Sequence, residues 1–159
     1  MQVPIIVVLV TFLHDVFTAV WIGGLITLGV TVLPAIRKNK QQNKELRDSI
    51  QKRLNTIVII SIAGLWITGI LLANRSTAFT GFFSTSNSYS LAMAIKHSLV
   101  ILMTVLALVR TRLVVRTKKA VDPSTEKRGA IILVVNIILG IAVLLLSAYT
   151  ATIANLPIS

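Results

Sequence analysis

Residues 3–36 read VPIIVVLVTFLHDVFTAVWIGGLITLGVTVLPAI, and the length of this apolar run decides the fold. About 20 apolar residues cross a hydrocarbon core of roughly 30 Å. Such a run must be helical, because lipid offers no partner to an unpaired backbone group. Three further runs share its character, at about 55–74, 91–115 and 129–153. With their connections they use nearly all of the 159 residues. Residues 1–159 are therefore read as one domain, an all-α polytopic membrane protein built as a four-transmembrane-helix bundle. The composition agrees: 55% of residues are hydrophobic and 13% charged, too few polar groups to cover a soluble domain. The opening MQVPIIVVLV has no positive charge and no small-residue cleavage site after it. It is read as the start of the first helix, retained, and not as a secretory signal.

The net charge of +11 is unevenly placed. Arg37, Lys38, Lys40, Lys44, Arg47, Lys52 and Arg53 fall in the first connection. Arg110, Arg112, Arg116, Lys118, Lys119, Lys127 and Arg128 fall in the third, leaving two of the sixteen basic residues elsewhere. With four spans, the basic loops 37–54 and 110–128 share one side, which the positive-inside rule makes cytoplasmic. The expectation is a multi-pass protein of the cell membrane with both termini outside, and with anionic lipid as the contact of its basic loops. No aromatic residue is interleaved with these charges, so nucleic acid is not expected as a partner.

Outside those loops the ionisable residues reduce to Arg75 and two adjacent pairs, His14–Asp15 and Lys96–His97. Arg75 sits at a helix end and can snorkel to the interface. The pairs hold both histidines of the protein. His14 lies 23 residues from Arg37, roughly 34 Å along a helix, and His97 lies 19 from Arg116, roughly 28 Å. Both therefore belong to the outer part of the membrane, on helices that run the same way. Facing side chains at one level are how helix bundles build metal and cofactor sites. Charged groups cost roughly 2.5–3.5 kcal/mol at the middle of a span. Asp15 and Lys96 can offset one another, but the imidazoles need a separate reason.

There are no cysteines, which excludes disulfides, iron–sulfur clusters and thioether-linked haem. Any metal must use His, Met, Lys, Tyr or carboxylate. Trp21 lies seven residues after His14 on nearly the same face, followed by Gly23 and Gly24, with Gly64, Gly69 and Gly140 on later spans. Small residues let helices approach, and they also clear room for a planar ring. Met93, one turn before His97, is either a soft metal ligand or a gap-filler.

The run LHDVFTAVWIGGLITLGVTVLPAI resembles the first helix of copper-resistance protein D-like membrane domains. IAGLWITGILLA, with its Thr68–Gly69 pair, resembles the second helix, and SYSLAMAIKHSLVILM the third. The fourth, AIILVVNIILGIAVLLLSAYTATI, is too generic to add to the match. The His-to-Trp spacing and Lys96 also resemble the HemJ-type protoporphyrinogen oxidases, which bind haem b. That resemblance implies His14 as a ligand and Lys96 as its partner in the site. The longer loops and further histidines of those oxidases are missing here, and His97 follows the lysine where many members carry an apolar residue.

These residues lead to a first expectation of a b-type haem protein that transfers electrons near the outer face. His14 and His97 would be its axial metal ligands, with Lys96, Asp15 and Trp21 completing the cofactor site. Lys96 would pair with a propionate, and Asp15 would orient an imidazole or pair with Lys96. Its redox partner would be a quinone, a copper protein or a larger membrane enzyme. The alternative is copper binding or transport at an outward His14/Met93/His97 site. Met1, Met93 and Met103 are too few for a soft-ligand relay across the bilayer. A further alternative is a structural subunit of an oligomer or larger complex. No nucleophile–base arrangement, phosphate loop or carboxylate pair appears, so any catalysis would be haem redox chemistry.

Overall fold

A computed structural model describes residues 4–38, 44–73, 88–116 and 123–154. The first span is continuous: α1 (Ile5–Thr27), a π-helical turn (Leu28–Val32) and α2 (Leu33–Lys38). Then follow α3 (Lys44–Ala73), α4 (Ser88–Arg116) and α5 (Pro123–Ala154). Four helical stretches are long and apolar enough to cross a membrane: Ile5–Ala35, Lys52–Leu72, Ser88–Leu113 and Lys127–Ile153. The described residues are all-helical, and the chain is a multi-pass membrane protein.

Helix ends follow local chemistry. Pro4 precedes α1 with φ −58° and ψ 128°, and its carbonyl accepts from the Val7 N–H at 2.9 Å. A proline suits this place, where the first helical N–H groups have no partner of their own. The π turn ends two residues before Pro34. A proline inside a helix lacks a donor and crowds the carbonyl four residues back, here Val30, inside that turn. Widening the helix at this point relieves the crowding without ending the span.

The pairs α1 with α3 and α4 with α5 pack most extensively, and α1 and its π turn also rest on α5. The bundle alternates in direction. His14 meets Thr68 on α3, and Ile22 lies against Gly140 on α5 while Gly29 lies against Leu133 and Ile137. The core comprises Trp21, Ile22, Leu25 and Leu28 with Ile62, Leu65, Met103, Ala107, Leu133 and Val143. Gly64 permits the α1–α3 crossing, since a Cβ there would collide with the ring of Phe17. Outward faces are apolar, as at Val30 (69% exposed) and Leu145 (67%), which is the surface a lipid-facing helix needs.

The basic stretches 37–54 and 110–128 are less loop-like than the sequence suggested. Residues 44–54 are the first turns of α3, 110–116 the last of α4, and 123–128 the first of α5. Lysine and arginine are good helix formers, so the helices run on past the apolar runs. Lys40, Lys118, Lys119, Arg75 and most of the stretch 75–90 lie outside the described residues.

Candidate functional site

Trp21 on α1 and Met103 on α4 both belong to the buried core. His14 lies seven residues before the first and His97 six before the second, about 10 and 9 Å along their helices. The two imidazoles thus stand at one level above the core. They sit at the bundle end where α1 and α4 start and α3 and α5 finish. Lys96, Asp15 and His97 are all within electrostatic reach of His14, and Asp15 is within reach of Lys96. Both sequence pairs are therefore brought together.

Each imidazole is oriented by a contact at Nδ1. His97 Nδ1 is 2.7 Å from the Met93 carbonyl. A carbonyl only accepts, so Nδ1 carries the proton and the lone pair of the neutral ring belongs to Nε2. His14 Nδ1 is 2.9 Å from Thr68 Oγ1. The Thr68 hydroxyl donates to the Gly64 carbonyl at 2.7 Å. It then accepts from His14 Nδ1–H, which assigns that ring the same tautomer with its lone pair at Nε2. Both rings are half-buried. Holding one ring nitrogen to fix the other is the arrangement metal-ligating histidines use.

Thr68 is the residue the sequence reading passed over as a site member. It is 5% exposed and orients His14, one of the two roles considered for Asp15. Asp15 itself is exposed and acts on the pair through its charge. The signal was present: Thr68 is a polar residue in an apolar run, four residues after the glycine whose carbonyl it engages. Trp21 is 2% exposed and packs in the core two turns below His14, its Nε1 without a hydrogen-bond partner among the described residues. Gly69 lies against the imidazole, with its Cβ position 3.5 Å from His14 Cε1. Among the described residues no three His, Cys, Asp or Glu side chains form a metal-binding group. The donor set is two imidazoles, with Met93 one turn before His97.

Comparison with curated proteins finds no match, and comparison with solved structures finds none either. The family model described as copper resistance protein D matches residues 48–150. That range takes in most of α3, all of α4 and nearly all of α5, including Thr68, Lys96 and His97. The HemJ-type resemblance is not shown. The match supports the copper-resistance protein D-like resemblance over the second and third spans, while the first span with His14 lies outside the matched range. It also enlists the fourth span, which had looked too generic to contribute. With more than half of its length matched, including the helices that orient His14 and carry His97, the chain belongs to the copper resistance protein D family.

Proposed function

We propose that this membrane protein binds copper as its substrate between His14 and His97, at the outward-facing end of the bundle. The observation that carries this reading is the matched pair of imidazoles. They stand at one level on α1 and α4, each held at Nδ1 so that its lone pair belongs to Nε2. Imidazole nitrogen is a good copper ligand, and the Met93 thioether one turn away would favour the cuprous ion. Family membership supports copper over other metals. The outward placement rests on the basic residues gathered at the opposite end. A site at one end suits capture or delivery of copper to an extracytoplasmic carrier.

A second reading is haem b with His14 and His97 as axial ligands, serving electron transfer to a quinone or membrane redox partner. The observation favouring it is that the donor set has two imidazoles and that Lys96, a candidate partner for a propionate, stands beside them. Haem would supply one-electron chemistry, and the chain's own contribution would be ring orientation through Thr68 and Met93.

One preparation tests both. Protein purified in detergent is examined by visible spectroscopy, oxidised and reduced, with a pyridine haemochrome count, and then by metal analysis after loading with cuprous ion. The copper reading expects a colourless protein that holds about one copper per chain and loses it in His14→Ala and His97→Ala. A Soret band with a sharp reduced α-band, near one haem per chain, would overturn it in favour of haem b. A colourless protein whose copper content is unaltered by either substitution would refute both.

A further inference from the structure

At the opposite end of the bundle, Arg110 departs from what its neighbours in sequence suggest. It is 7% exposed, although it lies three residues inside Leu113, where the span ends. That is about 4.5 Å from the boundary. Its Nε has no hydrogen-bond partner among the described residues. Arginine does not lose its proton in proteins. A guanidinium buried at membrane depth calls for an anion, because an uncompensated charge there is costly.

The register of α4 and α5 shows where that anion would sit. Asn136 Nδ2 donates to the Met103 carbonyl at 3.3 Å. Arg110 is seven residues after Met103 and Gly129 seven before Asn136. Seven residues are nearly two full turns, so both return to the faces that meet at the Met103–Asn136 contact. Arg110 and Gly129 are therefore level across the α4–α5 seam. Gly129 is buried, yet a methyl group added to it would meet no heavy atom within 4 Å among the described residues. Among the described residues, no side chain fills the seam at Gly129, level with Arg110 and near the depth where a headgroup phosphate lies. Arg112, Lys127 and Arg128 are exposed at the same end and would draw anions toward it.

We propose that Arg110 and the α4–α5 seam at Gly129 form a phosphate-binding site. Its ligand is the phosphate of an anionic lipid headgroup or a free phosphate from the aqueous side. The guanidinium fork matches two phosphate oxygens at once. Binding in this partly dry seam resists salt in a way that surface lysines cannot.

Native mass spectrometry of the detergent-purified protein with phosphatidylglycerol or phosphatidylcholine tests this, with thermal unfolding in inorganic phosphate as a second arm. The wild type should retain phosphatidylglycerol over phosphatidylcholine at high ionic strength, or be stabilised by inorganic phosphate alone. Retention of lipid that inorganic phosphate fails to displace identifies the headgroup, and displacement identifies free phosphate. Arg110→Gln should weaken whichever binding is seen by about tenfold or more, and Arg112→Gln by less than about twofold. Arg110→Lys keeps the charge without the fork and should bind severalfold more weakly than wild type, which serves if Arg110→Gln does not fold. The proposal is overturned if the wild type shows neither preference nor stabilisation. Equal losses in Arg110→Gln and Arg112→Gln, or wild-type binding by Arg110→Lys, would also overturn it.

Discussion

His14 Nδ1 lies 2.9 Å from Thr68 Oγ1, and that hydroxyl lies 2.7 Å from the Gly64 carbonyl. One oxygen therefore ties the imidazole of α1 to the backbone of α3. Replacing Thr68 by Val keeps the shape and removes the acceptor. Outer partners of this kind are worth about 10- to 100-fold in metal affinity, while interhelical hydrogen bonds in membranes contribute only about 0.6 kcal/mol to stability. Thr68→Val should lower copper affinity by about tenfold or more with a small change in thermal midpoint. A large fall in stability with unaltered affinity would make Thr68 a packing residue only.

His14→Ala and His97→Ala should each weaken copper binding, and the double variant should be little worse than either alone. Two ligands of one ion act as a unit, so their losses do not add. Titration of the three variants with a cuprous competitor checks this. Strictly additive losses would mean that the imidazoles bind separate ions.

The four spans were legible because run length alone forces a helix in lipid, and the observed spans keep the order and nearly the limits of the apolar runs. The pairing of His14–Asp15 with Lys96–His97 was legible by counting residues from the basic stretches. Orientation about a helix axis was not. Arg110 was grouped with its charged neighbours because composition cannot say which face a residue occupies, and the structure buries it while Arg112 is exposed. The role of Thr68 needed the antiparallel register of α1 and α3, which no single run contains. The π turn before Pro34 was likewise invisible to hydropathy, since widening a helix changes no residue's polarity.

Gly64 and Gly69 should respond differently to alanine. A Cβ at Gly64 would overlap the Phe17 ring, whereas one at Gly69 stands at ordinary contact distance from His14. Gly64→Ala should cost about 1–3 kcal/mol through forced repacking, read as an earlier thermal transition in detergent. Gly69→Ala should be close to neutral. Equal effects would show that the α1–α3 crossing is not set by Gly64.

Lys96 separates the two readings of the centre by the sign of its effect. It acts electrostatically on His14 and on His97, so its positive charge opposes any cation held between them. Removing it should help a copper ion. A haem propionate would instead lose its counter-charge. Lys96→Met is therefore expected to bind cuprous ion severalfold more tightly than wild type. Asp15→Asn, which deletes the neighbouring negative charge, should bind it more weakly. Asp15 is exposed and the effect of its charge is screened by salt, so its change should be the smaller and should shrink as ionic strength rises. A Lys96→Met variant that takes up copper no better, and that instead loses haem retained by the wild type, would move the assignment from copper to haem b.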